Sequence, residues 1–459
     1  MNQKQTGQSG WERMRNQLWP DWITRDMQLV IAARVFMSAT RALAGIITPI
    51  YLALLGFSGF QLGLLFTVVA LTSALLSVGV GLLADHIGRK PFLIILPLFA
   101  GAAGVVFAFS HTVALLFIFA ALGSFGRGAG AGAGAVGPYQ PAEQALLADG
   151  VTPRFRNNLF GRVAFASSLG ALVGAPLAGL PDLFAGSATH APPSAYAPAF
   201  LVAAALAVVA GLLVLPITER QRRAPQMQAQ MQTDGRPVKK SLVRLSRPTW
   251  AILARLWVTN SFNGLAVGFF GPFITYWFYK RYGIGPAEVG LLYTAINLAS
   301  MVSNLGAARL ATRLGLVRAI TWSRTLQAVL IVPMVLAPNF WIAGAFYLVR
   351  MMAQRVGLPL RQSYVMGVVP NDERSAVAAL SNLPSQATSA ITPTFAGYLF
   401  DHLALALPFE IGAILQGVNT LLFYVFFHAA PPPEERNRRE QRSDDGAAAP
   451  VGSQTLDAP

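Results

Sequence analysis

The chain has 459 residues, 54% of them hydrophobic and only 12% charged. Soluble domains carry about 25% charged residues, so a soluble globular fold is excluded. The absence of cysteine excludes disulfide frameworks and thiolate metal sites, and no metal site is expected. The net charge of +15 does not point to nucleic acid, because the basic residues sit at the ends of apolar stretches and between them, where membrane topology accounts for them.

The apolar residues come in runs of 20 or more. Each run is long enough to cross a hydrocarbon core of roughly 30 Å as a helix. Barrel strands would instead alternate over short segments. The predicted class is an all-α polytopic membrane protein embedded in the lipid bilayer.

In chain order, residues 1–27 are polar with mixed charge and lack the apolar core of a signal peptide, so they read as a cytoplasmic segment. Twelve spans are predicted, near 28–55, 60–84, 91–110, 112–136, 158–181, 196–217, 250–279, 287–311, 316–337, 340–369, 374–400 and 404–430. Residues 218–249 are Gln-rich and basic and read as a linker between two six-helix bundles, 28–217 and 250–430. Residues 431–459 are rich in proline and charge and are expected to be disordered. The linker and alternate loops are basic, so the positive-inside rule puts both termini in the cytoplasm. The compartment predicted is the cell membrane.

Between the second and third spans lies Gly81-Leu82-Leu83-Ala84-Asp85-His86-Ile87-Gly88-Arg89-Lys90-Pro91. A parallel repeat joins the halves at an offset of 218 residues: Pro141 with Pro359, Gln144 with Gln362, Val151 with Val369, Arg156 with Arg374, Gly179 with Gly397. The hinge resembles the signature loop of the major facilitator superfamily, and Gly357–Pro370 resembles a poorly characterised, drug-exporter-like group of prokaryotic permeases within it. The resemblance implies twelve helices in two pseudo-symmetric bundles with a substrate cavity between them. It further implies a gate built from Gly81, Asp85, Gly88, Arg89 and Lys90. Asp85 would face the start of the eleventh helix near Arg374, and Arg89 would meet Glu143 or Asp149.

Charge inside a span is costly and marks function. Arg41 lies about 20 Å into the first helix, and Arg127 falls mid-span in the fourth. Arg350 and Arg355 are in the tenth. With Asn263 and Asn297 they are the substrate-binding candidates, whereas Arg34, Arg255 and Arg324 are expected to snorkel to the surface. No acid falls in the middle of helices 1, 4, 7 or 10, which leaves proton coupling open. A positive cavity suits an anionic or amphiphilic small-molecule substrate. Gly170, Gly174, Pro176 and Gly179 resemble an antiporter motif and also suit close helix packing. Gly268, Gly271 and Pro272 predict a bend in the seventh helix.

No Walker loop and no His-Glu-x-x-His spacing occurs, so neither an ATP-driven pump nor an enzyme is expected, and no cofactor. The reading that results is a secondary transporter working as a monomer, with export ahead of import, facilitated flux or anion exchange. A membrane sensor or scaffold is the remaining alternative, disfavoured by the shortness of the soluble segments.

Overall fold

Thr24 and Ser58 start the first two long helices. The computed structural model describes residues 22–126, 137–152, 155–185, 191–218, 246–370, 373, 377 and 380–428. The Thr24 hydroxyl accepts the Met27 N–H to open α1 (Arg25–Leu54). Ser58 and Gln61 form a reciprocal capping box at α2 (Gly59–Ile87), each satisfying a backbone N–H of the other, the arrangement that fixes helix starts. α2 ends at Gly88, whose φ of 100° is open only to glycine at little cost.

The chain continues through α3 (Lys90–Phe109), α4 (Val113–Gly123), α5 (Gln140–Asp149) and α6 (Arg156–Gly174). A 3-10 turn (Pro176–Gly179) and a short α7 (Leu180–Leu183) extend α6, and α8 (Ala197–Leu213) closes this part. The second part holds α9 (Arg247–Phe270), α10 (Ile274–Tyr282), α11 (Pro286–Leu314), α12 (Leu316–Val329) and α13 (Ile331–Leu336). It ends with α14 (Phe340–Val368), α15 (Leu383–His402) and α16 (Leu407–Phe427). No strand occurs among the described residues.

Seven of the described stretches are individually long and apolar enough to cross a membrane. Others are interrupted. Of the span expected at 112–136, the helix breaks at Gly123, with Ser124 left-handed at φ 49° and Gly126 at φ 74°, and 127–136 lie outside the described residues. The reason is composition, since glycine is about 1 kcal/mol less favourable than alanine in a helix interior and glycines crowd residues 123–137. The seventh span breaks at Gly271–Phe273 between α9 and α10, where its glycines and Pro272 predicted a bend.

α1 packs on α6 and α8, and α3 on α8; α9 packs on α15 and α16, and α14 on α11 and α12. Two seams join these groups, α2 against α15 and the α6 extension against α11. Both seams need small residues. A Cβ at Gly63 would overlap the Pro393 carbonyl, and one at Gly397 would overlap Gly59. A Cβ on Gly290 would come 2.6 Å from the Ala175 oxygen. These approaches all lie at one end, called here the distal end. Towards the opposite, linker end, Gly79 and Gly81 face open space, and Leu75, Val78 and Leu82 are exposed.

Candidate functional site

The distal end is sealed by rings. Phe66 of α2 meets Phe273 edge-on at 5.5 Å, and Phe273 packs at 4.9 Å from Phe400 of α15. Phe409 extends the plug, 5.0 Å from Trp277 and 5.1 Å from Phe270. Such offset and edge-to-face pairs contribute about 0.5–1.5 kcal/mol each beyond burial. Polar side chains then occupy each half on the linker side of this plug.

In the first half, α1 carries Arg34 against Glu143 of α5. The Arg34 guanidinium donates to Glu143 at 2.5 Å and through Nε to Ser167 of α6 at 3.0 Å. Ser167 is in turn 3.0 Å from Ser38. Both charges are buried, and with Tyr139, Val30 and Met37 they line a narrow cavity. Seven residues on, half-buried Arg41 lays its guanidinium on Gly137, where any Cβ would overlap it. Gly137 also has φ 103°, so two independent constraints demand glycine there.

In the second half, several arginines lie inside the bundle. Arg350 is 5% exposed, with its guanidinium 4.0 Å from the centre of the Phe270 ring. Arg355 is half-buried, with its Nε shielded from solvent. The Nε of each arginine has no hydrogen-bond partner. Beside them Tyr293 and Tyr347 share a hydrogen bond at 3.1 Å. Arg324 donates to Asn419 at 3.0 Å and covers the Phe423 ring at 4.5 Å. Arg361 donates to Asn260 at 2.8 Å and Asn382 at 2.7 Å. Among the described residues, no ion pair involves Arg324, Arg350, Arg355 or Arg361. A desolvated cation–π contact contributes about 2 kcal/mol, less than the several kcal/mol that burying an ion costs. This cluster can therefore take up negative charge.

The remaining predicted positions fall as follows. Asn263 is half-buried in α9 and Asn297 is buried in α11. Arg89 forms an ion pair with Asp149 at 2.6 Å, so of the two acids expected opposite it, Asp149 is the one in contact. Glu143, expected in that gate, is instead held by Arg34, because α5 turns its first-turn acid into the bundle. Lys90 is half-buried at the start of α3. Gly81 is exposed and touches no neighbouring helix in this conformation. Arg127, Arg374 and the Asp85 side chain lie outside the described residues. A Cβ on Gly170 or Gly174 would overlap the Val35 or Ala39 carbonyl, which sets the close α1–α6 approach, and Pro176 begins the 3-10 turn. Gly179 packs on Ala287 across the second seam.

Arg34 and Arg324 are corrections, buried and hydrogen-bonded instead of reaching the surface; Arg255 is exposed. The sequence reading missed Glu143 as a partner for Arg34. A signal existed: Pro141 followed by Glu143 is a helix start with an acid in its first turn, marking a further helix beyond the glycine run.

The Major Facilitator Superfamily model matches residues 30–260 and again 256–455. Among curated proteins, the quinolone resistance protein NorA of Staphylococcus aureus is 23% identical over 382 residues, covering 82% of this chain and 90% of that protein. An uncharacterized membrane protein of Saccharomyces cerevisiae, YJR124C, is 21% identical over 406 residues, covering 83% and 89%. Among solved structures, a D-xylose–proton symporter superposes with a TM-score of 0.65 at 15% identity, covering 87% of this chain and 96% of that one. A bacterial homologue of the lysosomal transporter Spinster, inward-facing and occupied, gives 0.64 at 12% identity, covering 87% and 95%. The two-fold match of the family model runs over both helical groups, and the chain belongs to the Major Facilitator Superfamily.

Proposed function

We propose that this transporter exports an anionic or amphiphilic small solute across the cell membrane by alternating access, as a monomer, with protons as counter-ion. The two six-helix halves, 28–217 and 250–430, would rock about the cavity between them. The observation that carries the substrate charge is Arg350, buried over the Phe270 ring of the plug, with half-buried Arg355 further along the same helix and, among the described residues, no ion pair to either. Arg41 and Arg127 from the first half, with Asn263 and Asn297 from the second, complete the candidate site. Glu143 supplies the protonatable group, since its neutralisation would free Arg34 within the first half. Export is favoured by the quinolone resistance protein among the relatives; at 23% identity its substrate is not transferred.

The basic linker end is assigned to the cytoplasm, with both termini on that side. The conformation, closed at the distal end, is then inward-facing. Asp85, Arg89, Lys90 and Arg374 are assigned to a cytoplasmic gate around Gly81 and Gly88, in which Asp85 would engage near Arg374 in the opposite state and Arg89 holds Asp149, one of the two acids expected opposite it, in this one. A second reading, anion exchange without protons, draws on Arg324, Arg350, Arg355 and Arg361 forming no ion pair among the described residues.

The test is flux in proteoliposomes of purified protein, with anionic, neutral and cationic amphiphiles and with or without a pH gradient. Gradient-driven movement of an anion supports the proposal, and gradient-independent exchange of anions supports the second reading. Preference for cations would overturn the assignment of the arginine cluster.

A further inference from the structure

We propose that Asp182 and Asp401 are a symmetry-related pair of latches that hold the distal end of the transporter shut, each by capping a helix of the opposite half. The inference rests on the alternating-access reading above. The first N–H groups of a helix have no partner within it, and the positive end of the helix dipole favours a carboxylate there. α2 fills these needs from two sources. Ser58 takes the Gln61 N–H, while Asp401, far along α15, takes both Gly59 N–H and Phe60 N–H at 2.7 Å.

The second seam repeats the device. Asp182 of α7 accepts the Ala287 N–H of α11 at 3.0 Å. Phe60 and Ala287 are separated by 227 residues, as are Gly63 and Gly290, the glycines that let each seam close. On that register Gly59 matches Pro286, which has no N–H to give. Across the seam Asp182 therefore takes the Ala287 N–H of α11, where Asp401 takes two N–H groups of α2. Its side is further weakened by a second carboxylate. A Cβ on Gly285 would lie 3.2 Å from both Asp182 oxygens and from Glu288 Oε2, so two negative groups crowd one point.

Both contacts join halves that must separate when the distal end opens. They are hydrogen bonds to a charged acceptor, the strong kind, and they part when the seams do. The two latches therefore bias the equilibrium towards the state seen here, and Asp401 contributes more than Asp182.

The native chain lacks cysteine, so cross-linking reads the seam directly. The Thr394 hydroxyl donates to the Thr67 hydroxyl across it at 2.8 Å. A T67C/T394C pair in the full-length protein in liposomes should oxidise rapidly. Adding D182A and D401A should slow that oxidation by at least roughly tenfold, from hydrogen bonds to charged groups of about 1.5–3 kcal/mol, with D401A alone slower than D182A alone. A pair within the first half, S38C/S167C, should keep its rate. Unchanged oxidation of the seam pair in the double-alanine protein overturns the proposal. Should both cysteine pairs slow together, D182N/D401N decides. That variant keeps the shape and one acceptor, so selective slowing of the seam pair supports the latches and wild-type rates overturn them. No substrate is needed. Absence of flux with normal latch behaviour therefore counts against the transport reading alone, and normal flux with an unchanged seam counts against the latches alone.

Discussion

Arg34 and Glu143, 109 residues apart in the chain, form a buried ion pair at 2.5 Å on the inner side of the first half. Ser167 takes the guanidinium Nε and fixes it in place. Removing one member of such a pair leaves an uncompensated charge, at a cost of about 3–5 kcal/mol, whereas replacing both by apolar groups is often neutral. Glu143→Ala is therefore expected to lower the thermal midpoint in detergent sharply, and Arg34→Met with Glu143→Leu to recover most of it. A double variant as unstable as the single one would show that the pair itself holds the bundle. Loss of proton-driven flux in the stable double variant would tie the pair to coupling.

Arg350 predicts the opposite balance between stability and function. Arg350 is 5% exposed, lies over Phe270 and forms no ion pair among the described residues. Arg350→Met removes a buried charge, so the thermal midpoint should stay level or rise, by the equivalent of up to about 4 kcal/mol. Binding of an anionic substrate should fall at least tenfold, since one hydrogen bond to a charged group is worth about 1.5–3 kcal/mol. Calorimetric titration with matched anionic and neutral ligands separates the two effects. Equal loss for both ligands would remove Arg350 from charge recognition.

Gly174 sits where α6 rests on the Ala39 carbonyl of α1, and a Cβ would overlap it. Gly174→Ala should cost about 1–3 kcal/mol through overpacking and reduce the folded yield on size-exclusion chromatography. Gly161 has open space around it, and the same substitution there should cost nothing measurable by that route.

Glu373 carries a pH dependence. Its carboxylate accepts the Ser246 N–H at 2.8 Å at the start of α9. Hydrogen bonds from Thr249 and from Ser246 hold its pKa below the ordinary 4.5. A depressed folded-state pKa means that the stabilisation is complete above 4.5 and is lost as the pH falls through the lowered value. Wild type should therefore exceed Glu373→Gln in thermal midpoint at pH 7, and the gap should narrow below about pH 4. A gap that is constant with pH would show that charge on Glu373 is not what caps α9.

Arg89 and Asp149 form the exposed counterpart, at 2.6 Å with Asp149 largely in solvent. Pairs of this kind contribute about 0–1 kcal/mol. Asp149→Asn should leave the thermal midpoint almost unchanged while altering flux, if the contact serves the gate. Unaltered flux would confine the pair to the surface.

The hinge at 81–91, the repeat at 218 residues and the bend at Gly271 were legible because each is a local pattern: a polar loop between apolar runs, a recurring Pro-Gln-Arg spacing, a helix breaker. Glu143 was not, since the glycine run hid the helix that carries it. Arg34 and Arg324 were read as surface residues, because sequence gives depth along a helix but not the face it presents or the acid or amide waiting there.

Composition and run length alone determined that this chain is a helical membrane protein, because only long apolar segments satisfy their own backbone in lipid. Tertiary structure decided which charges are neutralised and which end is closed. Arg34 finds Glu143 from another helix, Arg350 lies over the Phe270 ring, and Asp401 reaches α2 across 341 residues. Ion pairs and caps depend on distances of a few ångströms between elements, and these distances exist only once the helices have packed.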